Sequence, residues 1–171
     1  MMEFQKRMTE RGWSQVPLRL LLGFGFAAHG AAKLGRGPGQ FAAVLAALGV
    51  PAPHWAAWAT TLLELVGGIS IMAGMFVAAW SLPLAVVMLT ALFTVHLPYG
   101  FSSIKLRAVD AAGAQFGQPG YELNLLYLVG LLTLVLGGSG SASLAVWLKR
   151  WREKRNCSAP QGTAIPSPAS K

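Results

Sequence analysis

Four long apolar runs alternate with short basic, glycine-rich or proline-rich connections along the chain. A membrane-spanning helix needs about 20 predominantly apolar residues, and the runs at about 16–34, 55–73, 76–97 and 121–137 have that length. Local signals bound them. Pro17 opens the first, in the turn where a missing N–H costs nothing. Pro51 and Pro53 precede the second and Gly74 follows it. Pro83 lies in the first turns of the third, and a Gly-Gly-Ser-Gly-Ser run beginning at Gly137 stops the fourth. Two shorter segments repeat apolar residues at i, i+3, i+4 and i+7, which is one face of a helix. Phe41, Val44, Leu45 and Leu48 do so between Pro38 and Gly49. Leu144, Trp147, Leu148 and Trp151 do so among Lys149, Arg150, Arg152, Lys154 and Arg155, as in a helix resting on an anionic leaflet.

The pattern predicts an all-α membrane protein, a bundle of four transmembrane helices with short interfacial amphipathic helices. Residues 1–15 form an N-terminal segment, 16–138 the membrane domain, and 139–171 a basic helix and tail. The Ser-, Pro- and Ala-rich stretch from Asn156 to Lys171 is expected to be disordered. The first run follows Lys6, Arg7 and Arg11 as a signal peptide would, but no small-x-small cleavage site ends it, so a retained helix is expected.

Composition sharpens this picture. Charged residues make up 12% of the 171 residues against 54% hydrophobic, where soluble domains carry about a quarter charged. The net charge of +8 flanks the apolar runs and forms no stripe, so it points to membrane orientation and not to nucleic acid. Three Lys and Arg residues before Pro17 and six after the fourth run lie on one side, against four in the Lys33–Arg36 and Lys105–Arg107 connections. Positive residues collect on the cytoplasmic side, so both termini are expected there. The single cysteine, Cys157, forms no internal disulfide or dithiol pair.

Few ionisable residues interrupt the apolar runs. His29 and Lys33 lie one turn apart near the outer end of the first, and Glu64 lies mid-way along the second on a face with Thr60, Gly67 and Ile71. His96 ends the third and Glu122 begins the fourth. Ionisable residues at membrane depth point inward, pair with one another and mark functional sites. Each also has a plain structural role open to it. Lys33 can snorkel to headgroups, Glu122 can cap a helix and His96 can satisfy a helix end. A mid-membrane carboxyl such as Glu64 must be protonated or paired. Gly23, Ala27 and Ala31 at four-residue spacing, with Gly67, Gly68 and Gly74, allow close helix contact. No phosphate-binding loop, dinucleotide fingerprint, zincin motif or nucleophile elbow is present, and no metal site is expected.

Four segments in this order resemble the DoxX family of small bacterial membrane proteins. They are His29-Gly30-Ala31-Ala32-Lys33-Leu34, Leu63-Glu64-Leu65-Val66-Gly67-Gly68, Val95-His96-Leu97-Pro98-Tyr99-Gly100-Phe101 and Gly120-Tyr121-Glu122. The resemblance covers about Leu18 to Gly140 and implies a four-helix membrane bundle with motif positions at His29, Lys33, Glu64, His96 and Glu122. Some relatives are subunits of a thiosulfate:quinone oxidoreductase, and others belong to membrane complexes handling thiol and oxidative stress. The polar Ser102–Gln118 stretch and the basic tail depart from simple family members, so no sulfur substrate carries over.

The expectation is therefore a multi-pass protein of the bacterial inner membrane acting as a redox-associated subunit. Its outer His/Glu/Lys cluster would bind a quinone headgroup or relay protons to it. A haem ligated by His29 and His96 is the less favoured cofactor. A redox partner protein would supply the electrons, and a homo-oligomer is compatible with the small unit. A proton-coupled carrier titrating at Glu64 and a non-catalytic scaffold are the competing readings.

Overall fold

The computed structural model describes residues 13–138, together with 140, 143, 144, 146–148 and 151. The described residues are mostly helical, at 73%. Helix α1 spans Gln15–Arg36, a short α2 spans Pro38–Ala47, and α3 spans Pro53–Ala73. Helix α4 (Val77–Ala91) continues through a π-helical turn, Leu92–His96, into a 3-10 turn, Leu97–Tyr99. Strands β1 (Leu106–Asp110) and β2 (Gly113–Phe116) follow, and α5 spans Glu122–Gly137. Leu144, Val146, Trp147, Leu148 and Trp151 are helical. The basic residues expected around that helix, the N-terminal Lys6, Arg7 and Arg11, Cys157 and the tail lie outside the described residues.

The expectation of an all-α chain needs one correction. Leu106–Phe116 forms an antiparallel hairpin in which Asp110 pairs with Gly113 across Ala111-Ala112, with an irregularity between Leu106 and Ala108. The Asp110 side chain organises the turn. Its carboxylate oxygens accept the Ala112 N–H at 2.8 Å and the Gln115 amide at 2.5 Å. Strand residues are exposed on both faces, so the apolar alternation that announces a half-buried strand is missing from the sequence.

The exterior of the helices is apolar and the interior holds polar groups. Trp58, Leu62, Val66 and Ile69 on α3 and Leu82, Val86 and Phe93 on the α4 segment are exposed. Buried instead are Arg19, Thr61, Glu64, Ser81 and Asn124. Soluble proteins rarely expose contiguous apolar area on this scale. Pro53–Ala73 and Val77–Tyr99 are the two described helices long and apolar enough to cross a membrane. Helix α1 is as long but carries Arg19, Lys33 and Arg36, and α5 is apolar but has only 16 residues.

Packing is built around α3, with α1 as its main neighbour. A Cβ on Gly23 would lie 2.6 Å from the Gly68 carbonyl oxygen, one on Gly68 2.5 Å from the Ala27 nitrogen, and one on Gly30 2.5 Å from the Leu65 nitrogen. The two backbones thus meet along Gly23, Ala27, Gly30 and Gly68, and Gly30 takes the place the four-residue spacing had assigned to the exposed Ala31. Gly67 faces the other way, toward Trp80 and Leu84 of α4. A cluster of Leu22, Phe26, Ile71, Val77, Leu84, Leu131 and Leu134 fills the centre. Thr61 and Ser81 satisfy their hydroxyls on the carbonyls of Ala57 and Val77 one turn earlier, so they add no polar demand to it.

Candidate functional site

Four of the five ionisable residues singled out from the sequence meet at one end of the bundle. A cavity of about 360 Å³ lies between α1, α3, α4 and α5. His29, Lys33, Glu64 and His96 line it, along with Asn124 and Tyr127 from α5 and the apolar Phe26, Met88 and Leu123. That volume falls in the range of roughly 300–1,000 Å³ occupied by small-molecule sites.

Glu64 lies on the buried face of α3 with Ala57, Thr61, Gly67, Gly68 and Ile71 and is 5% exposed. Thr61, one residue beyond the Thr60 expected on this face, is the buried threonine. Lys33 reaches across the glycine seam from α1 and donates from Nζ to Glu64 Oε2 at 2.5 Å. The carboxylate is therefore paired, the second of the two options that burial leaves it. The same ammonium lies 4.6 Å from the centroid of the Phe41 ring of α2. Close backbone approach at Gly30 is what brings the Lys33 stem within reach of α3. His29, one turn before Lys33, is exposed at the rim.

The opposite wall is held by hydrogen bonds to backbone carbonyls. His96 ends the π-helical turn, in which the Leu97 N–H returns to the Leu92 carbonyl instead of to Phe93. Pro98 follows and has no N–H to donate back along the helix, while Leu97 before it keeps α-helical dihedrals (φ −55°, ψ −42°). His96 Nδ1 lies 3.1 Å from the Pro119 carbonyl oxygen. A carbonyl only accepts, so Nδ1 carries the proton of this contact, which leaves Nε2 as the lone-pair nitrogen whenever the ring is neutral. Asn124, 3% exposed, donates its amide to the Met88 carbonyl at 3.3 Å and ties α5 to α4 just ahead of the π turn. The Tyr127 ring meets Phe26 edge to face at 5.1 Å and 82°. Neither Asn124 nor Tyr127 was flagged from the sequence, although each is a polar interruption in the otherwise apolar run of α5.

Glu122 stands apart from the cavity lining. It starts α5, and its Oε2 accepts the Ser103 N–H at 3.0 Å. Around it the Gly100–Ser103 loop is laced to the start of α5 by the N–H groups of Gly120, Tyr121 and Glu122, which donate to the carbonyls of Ser102, Gly100 and Phe101 at 3.0 Å each. A Cβ on Gly120 would sit 2.0 Å from the Gly100 oxygen, so a glycine is required there. Phe101 and Tyr121 pack edge to face across the join. Glu122 thereby holds the Gly100–Ser103 loop against the start of α5, three residues after the Pro119 carbonyl that meets His96.

Comparison with known proteins addresses α1 to α4. The DoxX family profile matches residues 14–97. Over these residues the chain belongs to the DoxX family. No curated protein and no solved structure matches it. With its apolar exterior, this DoxX chain is a membrane protein. The family match takes in His29, Lys33, Glu64 and His96 and ends at Leu97. The α5 wall, with Asn124, Tyr127 and the Glu122 clamp, lies beyond it.

Proposed function

We propose that α1, α3, the α4 segment through Tyr99 and α5 span the bilayer, with both termini cytoplasmic in a bacterial inner membrane. The cavity at their outer end receives the headgroup of an isoprenoid quinone. The chain then serves as the quinone-binding subunit of a membrane redox assembly. The observation that carries this reading is the cavity itself, where a titratable imidazole, a charge pair and an amide converge inside apolar walls. Such sites combine mostly apolar linings with a few placed polar groups. A quinone matches both halves, because its ring and tail are apolar and its two carbonyls take hydrogen bonds.

Reduction of a quinone consumes two electrons and two protons and turns both carbonyls into hydroxyls. The electrons come from a partner redox protein. This chain contributes binding and proton exchange. His96 Nε2, left as the acceptor by the Pro119 contact, takes a proton from a quinol hydroxyl or, once protonated, donates it to a quinone oxygen. His29 at the rim offers a second imidazole with a route to water or headgroups. The Lys33–Glu64 pair supplies fixed charges that order the site without adding a net charge to it. A proton-coupled carrier would need Glu64 as its titrating group, and its commitment to Lys33 favours the redox reading over that one.

Purified full-length protein extracted gently from its native membrane is expected to carry quinone in its lipid extract by mass spectrometry and to bind a short-chain ubiquinone analogue. His96→Asn keeps an amide donor for Pro119 but removes the Nε2 acceptor. It is expected to weaken binding roughly tenfold, the upper range for one hydrogen bond. His29→Ala is expected to weaken it less. A quinone-free extract with no analogue binding, or unchanged affinity in both variants, overturns the proposal.

A further inference from the structure

A second cavity, of about 220 Å³, opens where α1 ends and α2 begins. Lys33, Arg36, Gly37, Gln40, Phe41 and Val44 line it. Lys33 faces both cavities, and its charge is compensated in the first by Glu64. Arg36 is different. It is exposed, and among the described residues the Lys33–Glu64 contact is the ion pair present, while α2 carries no charged residue at all. The groove therefore combines one uncompensated guanidinium, one primary amide and an apolar wall. The wall continues outward along α2 through Val44 and Leu48, which are 52% and 40% exposed.

We propose that this groove binds the phosphodiester of an anionic phospholipid from the leaflet surrounding this end of the bundle. The guanidinium donates to the phosphate oxygens, for which its planar fork is well matched. The Gln40 amide adds a donor, and an acyl chain lies along Phe41 and Val44. Charge and shape both select a lipid over free phosphate. A phosphodiester carries a single negative charge, equal to the one charge the groove leaves uncompensated, whereas inorganic phosphate near neutrality carries more. Free phosphate also leaves the apolar wall uncovered. A zwitterionic lipid brings its own cation beside Arg36 and is disfavoured. Helix α2, too short to span and apolar along one side, lies in the interface where such headgroups sit. This site is independent of the quinone reading, since Arg36, Gln40 and Val44 do not line the first cavity.

The full chain in detergent, titrated with phosphatidylglycerol, phosphatidylcholine or inorganic phosphate and followed by native mass spectrometry and thermal melting, tests the assignment. Wild-type protein is expected to prefer phosphatidylglycerol over phosphatidylcholine about fivefold, the effect of one basic side chain at a membrane surface. The preference is expected to disappear in Arg36→Gln and to survive in Arg107→Gln, on the hairpin. It also falls as salt rises. An undiminished preference in Arg36→Gln, or none in wild type, overturns the proposal. Protection by inorganic phosphate equal to that by phosphatidylglycerol makes the groove a free-anion site and overturns the lipid assignment.

Discussion

The two walls of the main cavity are held together by different physics. On the α1–α3 side, backbones touch through Gly23, Gly30 and Gly68, and one ion pair closes the seam. On the α4–α5 side, the contact is made by hydrogen bonds to carbonyls, Asn124 to Met88 and His96 to Pro119, beside a π turn. In hydrocarbon no hydrophobic force draws one apolar helix to another, so association rests on close packing and polar contacts. The first wall uses both at once and is stiff. The second depends on hydrogen bonds alone at its cavity end, and it is the wall that presents the imidazole. In the proposed quinone site the charge pair would order the ligand from one side and the imidazole would face it from the other.

Breaking the charge pair gives the largest expected effect. Glu64→Leu strands the Lys33 ammonium at a partly buried position, and removing one partner of a buried pair costs about 3–5 kcal/mol. The lower end is expected here, because Lys33 is 23% exposed and can snorkel. Lys33→Met/Glu64→Leu together should recover most of that loss in a reversible unfolding titration in detergent. A double variant as unstable as Glu64→Leu alone would show that the pair contributes little and that the carboxyl has another partner.

A smaller and more discriminating effect is expected from two adjacent glycines. Gly68→Ala places a methyl 2.5 Å from the Ala27 nitrogen and 2.6 Å from the Gly23 oxygen, both backbone. Gly67→Ala meets only side-chain atoms of Trp80 and Leu84, at 3.1 Å and 3.2 Å. Overpacking costs about 1–3 kcal/mol. Gly68→Ala should sit at the top of that range and Gly67→Ala at or below the bottom, as read from melting temperatures of the two variants. Equal effects would mean that the α1–α3 seam is no stiffer than the α3–α4 contact.

The smallest expected effect concerns the α4–α5 wall. Asn124→Leu removes one hydrogen bond while leaving a carbonyl without its extra donor, a loss of about 1 kcal/mol. Faster hydrogen exchange is expected to spread through Leu92–His96 and not into α3. Exchange that rises equally along α3 would place Asn124 in the stiff wall and end the distinction.

How much of this was written in the chain differs between the walls for a physical reason. Hydrophobic runs of bilayer length report the helices directly, because solvation in lipid acts on every residue of a run. The Pro38-to-Gly49 segment was legible in the same way and folds as α2. Glycine spacing announced a close helix contact, and a buried carboxyl announced a partner, since both are one-residue constraints. The identity of that partner was not legible. Lys33 and Glu64 are separated by a loop and a whole helix, and only the packing of α1 on α3 brings them to 2.5 Å. The hairpin stayed hidden because its strands bury neither face. Asn124 and Tyr127 were overlooked because one polar residue in an apolar run has many possible fates, decided by which carbonyl or ring lies opposite. Glu122 shows the same limit from the other side. Its position at a helix start was readable, but its hold on Ser103 exists only because Gly120 lets the loop come within hydrogen-bonding distance. The chain alone determined the solvent it folds in, the helices and the residues that needed partners. Tertiary structure decided which partners they have, because those contacts depend on the crossing of helices far apart in sequence.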